Sequence, residues 1–276
     1  RGVSASLESK TVRSIRLTEL LVAQLCAYSM LSALCFACPL YLFDCSGSST
    51  LYGAVAAIAF VPGVLATPAG GILADHGRHR GVLVVLGIVL MAASLLFIPM
   101  KCSLPLAVVV AAMLCVQYGI QSLLKPMLQI ETVHMMSQEK VERATALVSQ
   151  VTMASKTLGL VGGTAVYGCF GIDALCETAA LTFAMSALLF GGALKQNASS
   201  GMTGDSTTCS TCRSDFRESI RYLFQNASLL VVFLLAAILN LALVGLTIGA
   251  PVIVAKHLGM QSSFVGIIEV AMGLGG

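Results

Sequence analysis

GGILADHGRHR, Gly70–Arg80, decides the fold. It is a short, charge-dense turn set between two long apolar segments. Asp, His and Arg this close to a bilayer must sit where water and phosphate headgroups solvate them, so the turn fixes which side of the membrane is which. Outward from it almost everything is hydrophobic. The 276-residue chain is 57% hydrophobic and 11% charged, with a mean hydropathy of +0.90, whereas a soluble domain carries about 25% charged residues. Such a chain has too little polar surface to cover a core, so composition implies a multi-spanning membrane protein. The expected spanning element is the helix, because strand-type alternation is absent. The net charge of +3 is spread over membrane flanks, which argues against nucleic acid as a partner.

Hydropathy places eight apolar runs, at about Leu17–Phe43, Leu51–Ala74, Gly81–Met100, Leu104–Leu128, Ala144–Gly168, Ala174–Leu194, Leu229–Ala255 and from Ser263 onward. The first run is too long for a cleaved signal segment. The connecting segments alternate in charge. Lys101 and Lys256 fall on one side, Lys156 lies inside a run, and every other Lys and Arg falls on the opposite side. That asymmetry places the N-terminus, the Asp75 turn and the 195–228 connection in the cytoplasm, and the plasma membrane is the expected location.

The connection opens with the Ser/Thr/Gly-rich NASSGMTGDSTTCSTC, which reads as a flexible linker. Asp215–Phe224 follows, with Phe216, Ile220, Leu223 and Phe224 at helical spacing, and reads as a helix lying along the membrane surface. Six runs, a linker and new runs make a two-half layout: 1–195, linker 196–228, and 229–276. The chain begins at Arg1, and its last apolar run stops short of the roughly 20 residues of a span. A fragment truncated in its second half is expected.

Polar residues inside spans are the functional signal, because they are costly in lipid. Gln24, Tyr28 and Ser32 recur every four residues in the first span; Gln117, Gln121 and Lys125 do so in the fourth; Asn240 and Thr247 share a face of the seventh. Such stripes either line a polar path or join neighbouring helices by hydrogen bonds. Their recurrence on every third span favours the path. Lys156 and Glu269 are the deep ionisable groups, and they either couple protons or substrate or form a static ion pair. Ser155, Gly159 and Gly163 form a small-residue stripe that admits a close helix neighbour.

Of the ten cysteines, Cys26, Cys35, Cys38 and Cys115 lie in spans; Cys45, Cys102, Cys169 and Cys176 fall at outer ends, where one or two disulfides are compatible with the spacing. Cys209 and Cys212 form a lone C-x-x-C, half a zinc site at most. No catalytic constellation, metal-binding spacing or phosphate-binding glycine loop is present, so neither an enzyme nor a cofactor is expected.

Gly71-Ile-Leu-Ala-Asp75-His-Gly-Arg78-His-Arg80 resembles the signature between the second and third helices of the major facilitator superfamily, matching at Gly71, Ala74, Asp75 and Arg80. PLYLFDCSGSSTLYGAVAAIAFVPGVLATPAGGILAD, KPMLQIETVHMMSQEKVERATALVSQ and DFRESIRYLFQNASLL resemble the branch that includes macrolide-efflux and siderophore-exporter proteins. Cys115 stands where proton-driven exporters often carry Arg, and the helix-5 exporter motif lacks its Pro after Gly159. The resemblance implies an all-α bundle of that type, with the six-helix half followed by the start of a second half. Gly71 would permit tight packing, and Asp75, Arg78 and Arg80 would latch a cytoplasmic gate. The implied function is proton-coupled efflux of a hydrophobic or amphipathic small molecule by alternating access, in a monomer within the lipid bilayer. Gln24, Tyr28, Ser32, Gln117, Gln121, Asn240 and Thr247 would line the path. An uptake carrier and a non-transporting receptor of the same fold remain alternatives.

Overall fold

The computed structural model describes residues 2–75, 79–135, 141–193, 221 and 224–252. Among them no strand occurs. The elements are α1 (Gly2–Ser46), α2 (Ser49–Asp75), α3 (His79–Ser103), α4 (Leu106–Met135), α5 (Val141–Ala193) and α6 (Ala227–Val252). Five are long and apolar enough to cross a membrane. They leave large apolar side chains such as Val64, Leu65, Leu181 and Leu188 exposed, as lipid rather than water would allow. The structure forms two compact units, the described helices α1–α5 in one and α6 in the other. Residues 196–220 of the linker lie outside the described residues; of the surface helix expected at Asp215–Phe224 only Arg221 and Phe224 are described, and both are helical and exposed.

The connections are short because the sequence caps each helix locally. Gly47 takes a left-handed φ of 63°, and its N–H donates to the Phe43 carbonyl at 2.8 Å, closing α1. Ser48 then caps α2, its hydroxyl accepting from the Leu51 N–H at 3.3 Å. Pro105 precedes α4, where its missing N–H is no loss, and its carbonyl accepts from the Val108 N–H at 2.9 Å.

A loop is expected between the fifth and sixth apolar runs, yet α5 continues through that stretch. Its apolar stretch Thr145–Gly192 has 48 residues, about 72 Å of helix and more than twice a hydrocarbon core of ~30 Å. One residue breaks it. Gly171 has φ 82° and ψ −177°, a region essentially reserved for glycine, and it divides α5 into two limbs. The first limb runs parallel to α1, with residue 24 beside 148 and residue 32 beside 156. The second runs antiparallel to α3, with Asp173 at Lys101 and Ala187 at Gly87. A single glycine thus does the work of a loop.

Close approach at small residues sets the packing. A Cβ at Gly159 would run into the Ser29 carbonyl, and one at Gly163 would lie 2.5 Å from the Ala33 Cβ, so α1 and the first limb touch nearly backbone to backbone. On α2, a Cβ at Gly70 would lie 3.0 Å from the Ser122 carbonyl of α4, and one at Gly63 would lie 3.3 Å from the Tyr118 carbonyl. Phe60 packs on Tyr118 beside this crossing, ring centroids 4.5 Å apart. Exchanging α1, α2 and α3 with α4 and the two limbs maps the α1–first limb pair onto α4–α2, and α3–second limb onto itself. That is the pattern of an inverted repeat.

The α1–α5 contact predicts a contrast between neighbouring glycines. Gly159→Val should destabilise the protein by about 1–3 kcal/mol through overpacking. Gly162→Val should be tolerated, since a Cβ there meets nothing within 4 Å. Thermal melting in detergent of the two variants beside wild type checks this.

Candidate functional site

Four helices of the first unit converge on a cleft of about 460 Å³. The α4 face supplies Gln121, Lys125 and Gln129, one helical turn apart, with Ser122 and Pro126 beside them. The first limb of α5 supplies Thr152 and Lys156, also one turn apart; α1 supplies Tyr28 and α2 supplies Thr67. Thr67 lies about 12 Å along the helix from Asp75 at 1.5 Å per residue, so the cleft occupies the part of the bundle nearer the Asp75 turn.

The hydroxyls of the lining are satisfied within their own helices. Thr67 Oγ1 donates to the Gly63 carbonyl at 2.9 Å, Ser122 Oγ to the Tyr118 carbonyl at 3.1 Å and Thr152 Oγ1 to the Val148 carbonyl at 2.8 Å. Their protons are thereby spent, and what they retain is acceptor capacity. Tyr28 differs. It is 2% exposed, and its hydroxyl has no hydrogen-bond partner among the described residues. An orphaned buried polar group of this kind costs about 1–3 kcal/mol.

The stripes read from the sequence divide between two jobs. Tyr28, Gln121 and Lys156 come together in the cleft. Gln24, fully buried, donates through Nε2 to the Val148 carbonyl at 3.0 Å and to Thr152 Oγ1 at 2.8 Å, tying α1 to α5. Ser32 Oγ donates to the Lys156 carbonyl at 3.1 Å, holding that turn of α5 against α1. Gln117, also fully buried, accepts from Cys35 Sγ at 3.1 Å and joins α4 to α1. Sequence reasoning named Tyr28, Gln121, Lys125 and Lys156 of this lining and missed Thr67, Ser122, Pro126, Gln129 and Thr152. Gln129 extends the Gln117–Gln121–Lys125 series by one turn and Thr152 precedes Lys156 by one turn, so their spacing was a usable signal; Thr67 had none.

At the other end of α3 a second polar cluster ties the helices together. Lys101 Nζ pairs with Asp173 at 2.5 Å and lies 5.9 Å from the Tyr41 ring centroid. The Tyr167 hydroxyl donates to Asp44 Oδ2 at 2.8 Å. These contacts bind the ends of α1 and α3 to both limbs of α5. The eight cysteines described are free thiols, including Cys45, Cys102, Cys169 and Cys176 at this end.

The Major Facilitator Superfamily profile matches residues 20–276. The chain belongs to the major facilitator superfamily. Searches of curated proteins and of solved structures each returned no match. As a member of this superfamily the chain is a multi-pass membrane protein of a transporter family, and its all-helical bundle agrees with that. Of the residues expected to form a gating turn, Gly71 and Asp75 lie in the last turns of α2 and Arg80 in the first turn of α3. Their side chains lie outside the described ones, and Arg78 and Glu269 lie outside the described residues altogether. In the second unit Asn240 is exposed on α6, its Nδ2 donating to the Ala236 carbonyl at 2.8 Å; Thr247 lies on the same helix, its side chain outside the described ones.

This division of labour predicts different outcomes for neighbouring residues. Gln24→Leu should cost about 0.5–1.5 kcal/mol, the net worth of the hydrogen bonding it removes between α1 and α5, since the Val148 carbonyl keeps its bond from Thr152 Oγ1. Gln121→Leu should leave the melting temperature within error of wild type. Tyr28→Phe should melt no lower than wild type, since it deletes a hydroxyl that has no partner to lose. Melting curves of the three variants in one detergent decide all three.

Proposed function

We propose that this superfamily member exports a hydrophobic or amphipathic small molecule, drug- or macrolide-like, across the plasma membrane in exchange for protons. The observation that carries the reading is the cleft. Polar side chains gathered in an open cleft between four apolar spans are expensive unless a solute uses them. Lys125, Gln121, Lys156 and Tyr28 offer polar contacts there, while Pro126 and the methyl-bearing Thr67 and Thr152 offer apolar surface.

Alternating access is the proposed mechanism. The Lys101–Asp173 and Tyr167–Asp44 contacts hold one end of the first unit together, while the cleft lies toward the Asp75 end. Basic residues cluster in the segments at that end, which supports a cytoplasmic N-terminus and a cleft loaded from inside. The Asp75 turn, with Gly71, Arg78 and Arg80, would latch the cytoplasmic gate in one state, and a second half of the transporter would close the path from the opposite side. Substrate shifts the equilibrium by binding the two states unequally. Gln24, Ser32 and Gln117 would serve it as positioning residues rather than contacts, and Asn240 and Thr247 would belong to the second half. Lys156 and Glu269 are the candidate coupling groups.

Cells expressing the protein should hold less of a hydrophobic fluorescent dye than control cells. Asp75→Asn, or a protonophore, should restore the dye to the control level. Dye that rises in expressing cells would reverse the direction of transport, and identical dye in every arm would refute export of this substrate class.

A further inference from the structure

We infer that the polar part of the substrate is an anion, a carboxylate, sulfonate or phosphate, held between Lys125 and Lys156. The inference rests on reading the cleft as the transport path and specifies what that path selects.

Among the described residues the lining contains two lysines and no aspartate or glutamate. Neither ammonium has an ion-pair or hydrogen-bond partner among the described residues. Lysine offers three donors and no acceptor. Lys156 lies within an apolar span, where an unpaired cation is costly, and Lys125 borders the same space nearer the Asp75 end, so the two like charges repel each other as well. The hydroxyl and amide oxygens of the lining can accept from the ammoniums, yet none of the described residues there brings a negative charge to offset them. The Ser122, Thr67 and Thr152 hydroxyls have spent their protons on their own helices. The remaining donors are therefore the two ammoniums, the amides of Gln121 and Gln129, and the unpartnered Tyr28 hydroxyl.

Each ligand class meets this set differently. A cationic ligand would meet two ammoniums with no carboxylate to offset them. A neutral ligand would leave both charges unpaired. An anion neutralises them together, with charge-assisted hydrogen bonds about twice as strong as neutral ones. The Tyr28 hydroxyl, which has no partner among the described residues, adds a neutral donor to the same lining. A volume of about 460 Å³ holds such a headgroup with part of an apolar body.

Binding to the protein in phosphatidylcholine nanodiscs tests this without any transport step. Two xanthene dyes of similar size serve as probes, anionic fluorescein and cationic tetramethylrhodamine methyl ester, read by fluorescence anisotropy. Fluorescein should bind and the cationic dye should not. Lys125→Gln and Lys156→Gln should each weaken fluorescein about tenfold, the loss of one charged hydrogen bond, while Lys125→Arg and Lys156→Arg keep most of it. Melting curves confirm that the variants are folded. Equal binding of the two dyes, no binding of either, or fluorescein binding indifferent to both lysines would overturn the inference. Competition by phosphatidylglycerol in the nanodisc at the same lysines would assign the site to a lipid headgroup and overturn it as a substrate site. Any of these results leaves the export reading to the cellular dye assay, so the two fail separately.

Discussion

The contact between α1 and the first limb of α5 is the constraint on which the rest of the bundle depends. Gly159 lies against the Ser29 carbonyl and Gly163 against Ala33, so two spans meet at a distance no larger residue allows. In a bilayer, where hydrophobicity does not drive helices together, such contact supplies dispersion that lipid cannot match. It also brings polar groups within reach of each other. Gln24 can bond Val148 and Thr152, and Ser32 can bond the Lys156 carbonyl, only because the backbones are this close. Those bonds in turn hold Thr152 and Lys156 in the wall of the cleft. Packing, hydrogen bonding and the site are successive consequences of two missing side chains.

The same logic operates across the bundle with the helices inverted. Gly63 and Gly70 bring α2 onto Tyr118, Ser122 and Pro126 of α4, and from that crossing Thr67 and Ser122 reach the cleft from the other side. Two close crossings, each joining a helix of one three-helix repeat to a helix of the other, therefore bracket the cleft. The third pair, α3 with the second limb of α5, has its own close point at Gly87 and Ala187 and contributes none of the described lining residues. It presents apolar side chains outward, such as Leu181 and Leu188, and ends in the Lys101–Asp173 pair.

Membrane character, helical content and the approximate spans were legible in the sequence, because they depend on local hydropathy and composition. So was the distribution of basic residues, since charges must sit outside hydrocarbon wherever the chain goes. The break between the fifth and sixth spans was legible in position but not in kind. A loop was the natural expectation for the interval between two apolar runs, and a glycine with φ 82° replaced it. The regions of polar helix beyond the bilayer were also missed, for hydropathy marks where a helix is apolar and not where it stops; α1 already begins at Gly2.

What the sequence determined by itself is that this chain lies in a membrane as a helical bundle and carries polar stripes on particular helix faces. What only the tertiary structure decided is which member of each stripe meets a neighbour and which meets the cleft. Gln24 and Tyr28 are one turn apart on the same face, yet one is bonded into α5 and the other lines the open space. Helical periodicity assigns a face and leaves depth free. Depth is set where two helices cross, and the crossing is fixed by glycines more than a hundred residues from the polar groups they position, as Gly159 is from Gln24.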